Sequence, residues 1–403
     1  MNNLEKKILS SVNGWVTSAE MPENPKENDG WLVVSPLSGE VECSRIYLPL
    51  KTIISLRGYP LRQIDFIPEK CLWFTIGFTN KTDYRDYIPT LDMEFIPKGM
   101  HLNALVDVLN RRTTPGYGKG YYGFGEAGVG KTSTAHWLFA LTQTAVIHFN
   151  CKPNMEVEEL FVSHTAVNGV WGTVDGAIIT ALKRNYPLII DEMDLAPSEF
   201  VPALNNLIEG RKFTVPYYQG ALQAGTQFKV IGFGNTGSCG EEIGNYNGRN
   251  AIDASSLDRM IKDYYEPLTT NEFLKVINRY SGIDPIEGIK KGLAKFCCEV
   301  NSSCRNGEFP EMISPRGLIS VCENIISNCW MQAPILYSLG LTLSSALESN
   351  EAREKLLQLV SAYICEDSAR VNELTKLWDS RYKPMKKSAA NTDKEADNET
   401  VTA

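Results

Sequence analysis

The eight residues Gly125, Glu126, Ala127, Gly128, Val129, Gly130, Lys131 and Thr132 restrict this chain more than any other stretch. They read GEAGVGKT, which satisfies glycine, any four residues, glycine, lysine, then serine or threonine: the P-loop pattern. Each position has a mechanical task. Glycines let successive backbone N–H groups turn inward around phosphates with no Cβ in the way. Lys131 supplies a point charge for the β- and γ-phosphates, and the Thr132 hydroxyl a ligand for Mg²⁺. Ser133 follows into a predicted helix whose positive end points at the same phosphates. Tyr121 to Phe124 is an apolar run before the loop, and Thr134 to Leu141 reads as the helix after it. Strand, glycine-rich loop and helix is the order that predicts nucleoside triphosphate binding.

Hydrolysis needs more than a cradle. Leu188-Ile189-Ile190-Asp191-Glu192 is an apolar run that ends in two carboxylates. Such a run suits a strand buried on both faces of a parallel sheet, with its carboxyl end at the ligand edge. Asp191 is then placed to hold Mg²⁺ through water, and Glu192 to orient and deprotonate the attacking water. The bland alternative is that both acids begin a solvated turn, since Met193-Asp194-Leu195-Ala196-Pro197 follows. Phe228 to Gly234 is a third short apolar run and ends on Asn235-Thr236. An asparagine there suits a hydrogen bond to the γ-phosphate or the attacking water; it equally suits the closing of a strand in a turn.

With these residues the chain resembles the AAA+ ATPases of the MoxR and dynein-related branch, and most of all the cobaltochelatase small-subunit (CobS) family. The telling residues are Asn235-Thr236-Gly237, Gly240, Gly244-Asn245-Tyr246-Asn247-Gly248 and Leu257-Asp258-Arg259. The resemblance covers roughly Ile96 to Trp378. It implies ATP with Mg²⁺, bound at subunit boundaries of a homo-oligomeric ring, usually a hexamer. Arg259 matches the family's arginine finger, and Arg316 in Ser314-Pro315-Arg316 its second sensor. Main-chain groups near Pro97 to Met100 match the part that reads adenine. Relatives commonly work with a protein bearing a von Willebrand factor A-type domain, and some insert metal into a corrinoid or porphyrin. Two departures stand out. Arg249 replaces the family's usual threonine, which makes it a second candidate for an inter-subunit arginine on a loop with freedom to move, and Met260 stands where relatives favour an aromatic.

Relatives also have pore-facing inserts at two places. Ser163 to Gly176 reads as a glycine-rich loop, and Thr214 to Thr226 as a β-hairpin. Trp171, Tyr217 and Tyr218 either grip a partner chain there, as large aromatics do at low entropy cost, or pack locally.

A length of 403 residues suits two or three domains. The division reads as a β-rich N-terminal domain (1–95, a docking module or a collar), an α/β nucleotide-binding core with a parallel sheet (96–267), a helical lid with an extension (268–382), and a disordered tail (383–403). No run reaches the ~18 apolar residues of a membrane helix, and the N-terminus lacks the apolar core of a signal peptide. The cytoplasm is therefore the expected compartment. The ten cysteines form no Cys-x-x-Cys pair and read as buried small hydrophobes. A net charge of −8 with no basic stripe argues against a duplex-binding face. The function expected is a ring ATPase that remodels a partner protein; the alternative is a nucleic-acid-directed motor or restriction-type NTPase.

Overall fold

The computed structural model describes residues 3–153, 155–167, 170–215, 218–237, 249–330, 334–344 and 348–364. It consists of two compact units, Met1–Pro267 and Leu268–Ala403.

The first unit opens with α1 (Asn3–Ser10) and a four-stranded sheet of β1 (Gly14–Ser18), β2 (Asp29–Val34), β3 (Val41–Pro49) and β4 (Cys71–Phe78), in that spatial order. β1 and β2 run parallel and the other pairs antiparallel. From sequence, Glu40 to Leu56 reads as a strand-like run. Instead the chain turns at Pro49 into α2 (Leu50–Leu56), which buries Leu50, Ile53 and Ile54. These three have helical spacing; the β-branched Thr52-Ile53-Ile54 run disguised it.

Next comes α3 (Gly99–Asn110), then β5 (Gly120–Gly125), α4 (Lys131–Thr142), β6 (Ile147–Asn150), β7 (Val162–Val167), β8 (Val170–Asp175), α5 (Ala177–Arg184), β9 (Leu188–Asp191), β10 (Val230–Gly234) and β11 (Met260–Tyr265). Five of these strands form an all-parallel sheet in the order β11-β5-β10-β9-β6. This α/β sheet aligns the carboxyl ends of β5, β10 and β9 along one edge: Gly234 pairs with Phe124, and Gly232 with Ile190.

The expected glycine-rich loop at Ser163 to Gly176 is instead an antiparallel hairpin of β7 and β8. The signal lay in Asn168-Gly169, a two-residue hairpin turn sequence, flanked by Val162, Thr165, Val167, Val170 and Thr173. At Thr214 to Thr226, where a β-hairpin is expected, the described residues show one antiparallel bridge, Phe213 to Leu222. Tyr217, the Trp171 side chain, Gly240, Gly244 to Gly248 and the 383–403 tail lie outside the described residues.

The expected boundary near residue 95 falls inside this unit. From Ala135 to Leu141, His136 apart, α4 is apolar all round, and such a helical stretch must be buried on all sides. It packs on β5 and also on β4, α2 and α3, with Trp137, Leu138, Phe139 and Leu141 buried. Buried Arg45 of β3 donates to Thr75 of β4, to Gln227 just before β10 at 2.6 Å, and to Tyr84. The N-terminal sheet therefore shares its core with the P-loop helix.

In the second unit, the described residues form helices Thr270–Ile277, Ile286–Arg305, Pro315–Ser327, Pro334–Thr342 and Asn350–Tyr363 around an apolar core that includes Phe273, Phe296, Val321 and Leu356. Thr269 and Glu272 close the first of them with a reciprocal capping box. Among the described residues, no helix is long and apolar enough to cross a membrane.

Candidate functional site

The loop from Gly125 to Gly130 leaves β5 at the carboxyl edge and enters α4 at Lys131. Gly125 and Gly130 adopt φ of +145° and +92°, conformations that L side chains rarely take. A Cβ on Gly125 would lie 2.3 Å from the Tyr265 carbonyl oxygen, so only glycine fits. No side chain caps the first turn of α4. Its backbone N–H groups are therefore left to a ligand, as an anion site at a helix N-terminus requires. Glu126, Ala127, Gly128 and Val129 make up the loop between β5 and Gly130, and Thr132 and Ser133 lie in the first turn of α4.

Lys131 is 8% exposed and points back into the loop. Its Nζ donates to the carbonyls of Gly125 and Glu126, both at 2.7 Å, and to Asn235 Oδ1 at 2.8 Å. Burial pushes its pKa down to about 8, against the pull of the Glu192, Asp191 and Asp194 carboxylates, which favour the charged form. The Thr132 hydroxyl donates to Asp191 Oδ2 at 3.0 Å, and Asp191 Oδ1 accepts the Glu192 N–H. A hydroxyl beside a carboxylate at the mouth of a phosphate cradle is a donor set that suits Mg²⁺. The residues present thus fit both the nucleotide and its ion. Three separate strand ends, each read from sequence as a polar stop, meet within one hydrogen-bonded cluster.

Two members of the cluster were not assigned these places by sequence reasoning. Asp194, which entered that reading only through the alternative of a solvated turn, is 0% exposed. Its Oδ2 accepts the N–H groups of Asn235 and Thr236 at 2.8 and 2.9 Å and the Thr236 hydroxyl at 2.9 Å. Its Oδ1 accepts from Arg249. Arg249 also pairs with Glu192 Oε2 at 2.6 Å. The expectation of a freely moving Arg249 fails at this point: the following Asn250 is stitched to the Asp194 and Ala196 carbonyls at 2.7 and 2.8 Å. The available signal was Asp194 itself, an acid three residues past a buried strand end.

Arg259 stands at the opposite edge. Its carbonyl accepts the N–H of Gly120, the first residue of β5, while Gly125 at the other end opens the P-loop. Five residue steps at ~3.3 Å separate these ends by roughly 17 Å. The guanidinium binds Glu209 Oε1 at 2.8 Å and the Ser255 carbonyl at 2.7 Å. It does not join its own subunit's cluster. Arg316 is exposed near the start of helix Pro315–Ser327 in the second unit, where Ser314 caps the helix.

Sheet, cradle and carboxylate strand define the class: a P-loop nucleotide-binding core of α/β type. Residues 124–260 match the AAA domain of the dynein-related subfamily, which makes this core an AAA+ ATPase core. Uncharacterized proteins of Staphylococcus aureus strains NCTC 8325 and COL are each 25% identical to it over 243 residues, 59% of this chain and 87% of the relative. A crystallised candidate ATPase from Cytophaga hutchinsonii is 12% identical, with a TM-score of 0.33, across 68% of this chain and 91% of its own; that likeness is too weak to carry an argument.

Proposed function

We propose that this chain is a Mg²⁺-dependent ATPase that works as a homo-oligomeric ring of about six subunits and couples hydrolysis to the remodelling of a partner protein. The observation that carries the ATPase reading is the single cluster of Lys131, Thr132, Asp191 and Asn235 beside Glu192 at the sheet's carboxyl edge. The backbone of Gly125 to Gly130 and Lys131 hold the phosphates; Thr132 and Asp191 hold the ion. When bound, the ion neutralises charge on the β- and γ-phosphate oxygens. Glu192 takes a proton from the attacking water as its oxygen bonds the γ-phosphorus and the bond to ADP breaks. Asn235 spends Oδ1 on Lys131, which leaves its NH₂ group to donate to the γ-phosphate or the water.

The ring reading is supported by Arg259, whose place far from its own cradle suits a residue that serves a neighbour's. The resemblance of Asn235 to Arg259 to MoxR and CobS proteins supports a protein substrate, with a von Willebrand factor A-domain protein as the partner type; it extends to a chelatase role only if a large catalytic subunit is supplied.

The test compares Lys131→Ala with Glu192→Gln. The first is expected to lose nucleotide binding, and the second to bind ATP with Mg²⁺ but turn over about 100-fold slower or worse. Equal turnover by Glu192→Gln and the unaltered chain would remove Glu192 from the reaction. Stimulation by DNA and not by any protein would favour the nucleic-acid-directed alternative.

A further inference from the structure

Arg249 touches the candidate base from within the same subunit, and its surroundings are unequal. On one side is Asp194, wholly buried, with one oxygen saturated by two backbone N–H groups and a hydroxyl. On the other is Glu192, whose side chain is 41% exposed while Arg249 is 10% exposed. A buried carboxylate without its cation is costly, so the guanidinium belongs to Asp194 first. With that anchor fixed, the ion pair sets where the more exposed Glu192 side chain lies.

Two further observations give the contact a catalytic sense. Glu192 has a left-handed backbone at φ +54°, a conformation that costs a non-glycine residue and concentrates at active sites. Among the described residues, the ion pair with Arg249 is the contact seen at the Glu192 carboxylate. In addition, Asp194 Oδ2 holds the backbone of Asn235, whose side chain touches Lys131. The base, the sensor asparagine and the phosphate lysine are therefore linked through one network of hydrogen bonds and ion pairs.

We propose that Arg249 is a positioning residue for hydrolysis that acts in cis: it holds Glu192 by Oε2 and leaves Oε1 to receive the proton of the attacking water. This rests on the ATPase reading above. It differs from an inter-subunit arginine in needing no neighbour, and from a structural salt bridge in acting only through Glu192. A planar guanidinium can bridge two carboxylates at fixed angles, which a lysine reproduces in charge but not in geometry.

The test measures ATP affinity, kcat and melting temperature for full-length Arg249→Gln, Arg249→Lys, Glu192→Gln and the double variant Glu192→Gln/Arg249→Gln. Arg249→Gln is expected to lose about 10- to 100-fold in kcat with ATP affinity within about threefold, the signature of an interaction used in the transition state. Arg249→Lys, which keeps Asp194 neutralised and the fold safe, should recover part of the loss. In the double variant the arginine change should cost nothing beyond Glu192→Gln, since coupled residues are not additive. Mixing Arg249→Gln with Lys131→Ala subunits should give no rescue, because the intact cradle lies in the subunit that lacks the arginine. Turnover at or above that of the unaltered chain in Arg249→Gln, additive losses in the double variant, or rescue by mixing would each overturn the proposal. Unchanged turnover in Glu192→Gln would remove Glu192 from the reaction and this proposal with it, whereas no ATP turnover by the unaltered chain would overturn the ATPase reading itself.

Discussion

Lys131 and Asn235, 104 residues apart in sequence, are joined by a 2.8 Å hydrogen bond from Nζ to Oδ1 across the carboxyl ends of neighbouring strands. The lysine proposed to meet the phosphates and the asparagine that follows the third strand thus touch directly. Under the proposed function a γ-phosphate would compete with Asn235 for the same ammonium, so nucleotide entry would change what the asparagine is bonded to.

Asn235→Ala should therefore bind ATP with near-normal affinity, because Lys131 keeps its two carbonyl partners and its charge. Turnover should drop by about 100-fold, the usual cost of losing one donor aimed at developing charge. Asn235→Asp should behave differently: a carboxylate beside Lys131 opposes the phosphate, and ATP affinity itself should fall. Equilibrium binding and steady-state turnover on both variants check this. Equal kinetics in the alanine variant and the unaltered chain would make Asn235 a mere strand terminator.

The parts of the site that sequence disclosed are those where chemistry and period coincide. GEAGVGKT needs its glycines for backbone shape, and Leu188 to Ile190 needs its apolar run for burial on two faces, so both are visible locally. Asp194 and Arg249 are not. Nothing local distinguishes a buried aspartate saturated by Asn235 and Thr236 from one starting a solvated turn; its burial is decided by a segment more than 40 residues on. The fold shows the same division. β5, β9, β10 and α4 were readable as runs and periods, whereas α2 hid behind β-branched residues and the β7–β8 hairpin behind its glycines. The shared core of the N-terminal sheet and α4 left one trace only, the absence of a polar face on α4 from Ala135 to Leu141, His136 apart.

That shared core predicts the fate of a shortened chain. A fragment beginning at Ile96 loses β4 and α2 from around α4 and exposes side chains whose burial is worth about 2 kcal/mol each. Domains are stable by only ~5–15 kcal/mol in total. The fragment should be aggregated or rapidly digested under limited proteolysis, while the full chain resists. A fragment 96–403 that melts cooperatively at the same temperature as the full chain would show that the sheet is dispensable.

Lys229 offers a pH test of the core. It is buried, and its Nζ reaches Thr113 Oγ1 at 2.8 Å and the Thr226 and Phe228 carbonyls at 3.0 and 3.1 Å. Burial pushes its pKa down from an ordinary 10.5 to about 7. Between these values the unfolded chain holds a proton that the folded chain has released, so raising the pH favours the folded state through this group. The stability of the unaltered chain relative to Lys229→Met should rise from about pH 7 toward 10.5. Thr113 keeps its own bond to the Phe228 carbonyl in the variant, so the comparison isolates the ammonium. Denaturant titrations at several pH values measure it, and a flat difference would mean that Lys229 stays charged in the fold.

The last prediction separates the two arginines that sequence order leaves equivalent. Arg249 is tied to Asp194 and Glu192 of its own subunit, whereas Arg259 is tied to Glu209 and Ser255 at the far edge of the sheet. Roughly 17 Å of β5 lies between Arg259 and its own P-loop, more than an arginine side chain spans. If Arg259 takes part in hydrolysis, it must do so at a neighbour's site. Arg259→Ala should bind ATP normally and lose most of its turnover, by as much as ~1,000-fold if it neutralises transition-state charge. Mixing it with Lys131→Ala subunits should restore activity, since some boundaries then pair an intact cradle with an intact finger. Its loss must also be distinguished from damage at the Glu209 contact, and Glu209→Gln serves for that: it keeps the arginine while loosening its tether, and should retain turnover. Normal hydrolysis by Arg259→Ala, or loss without rescue in the mixture, would remove Arg259 from the boundary and with it the main structural support for a ring.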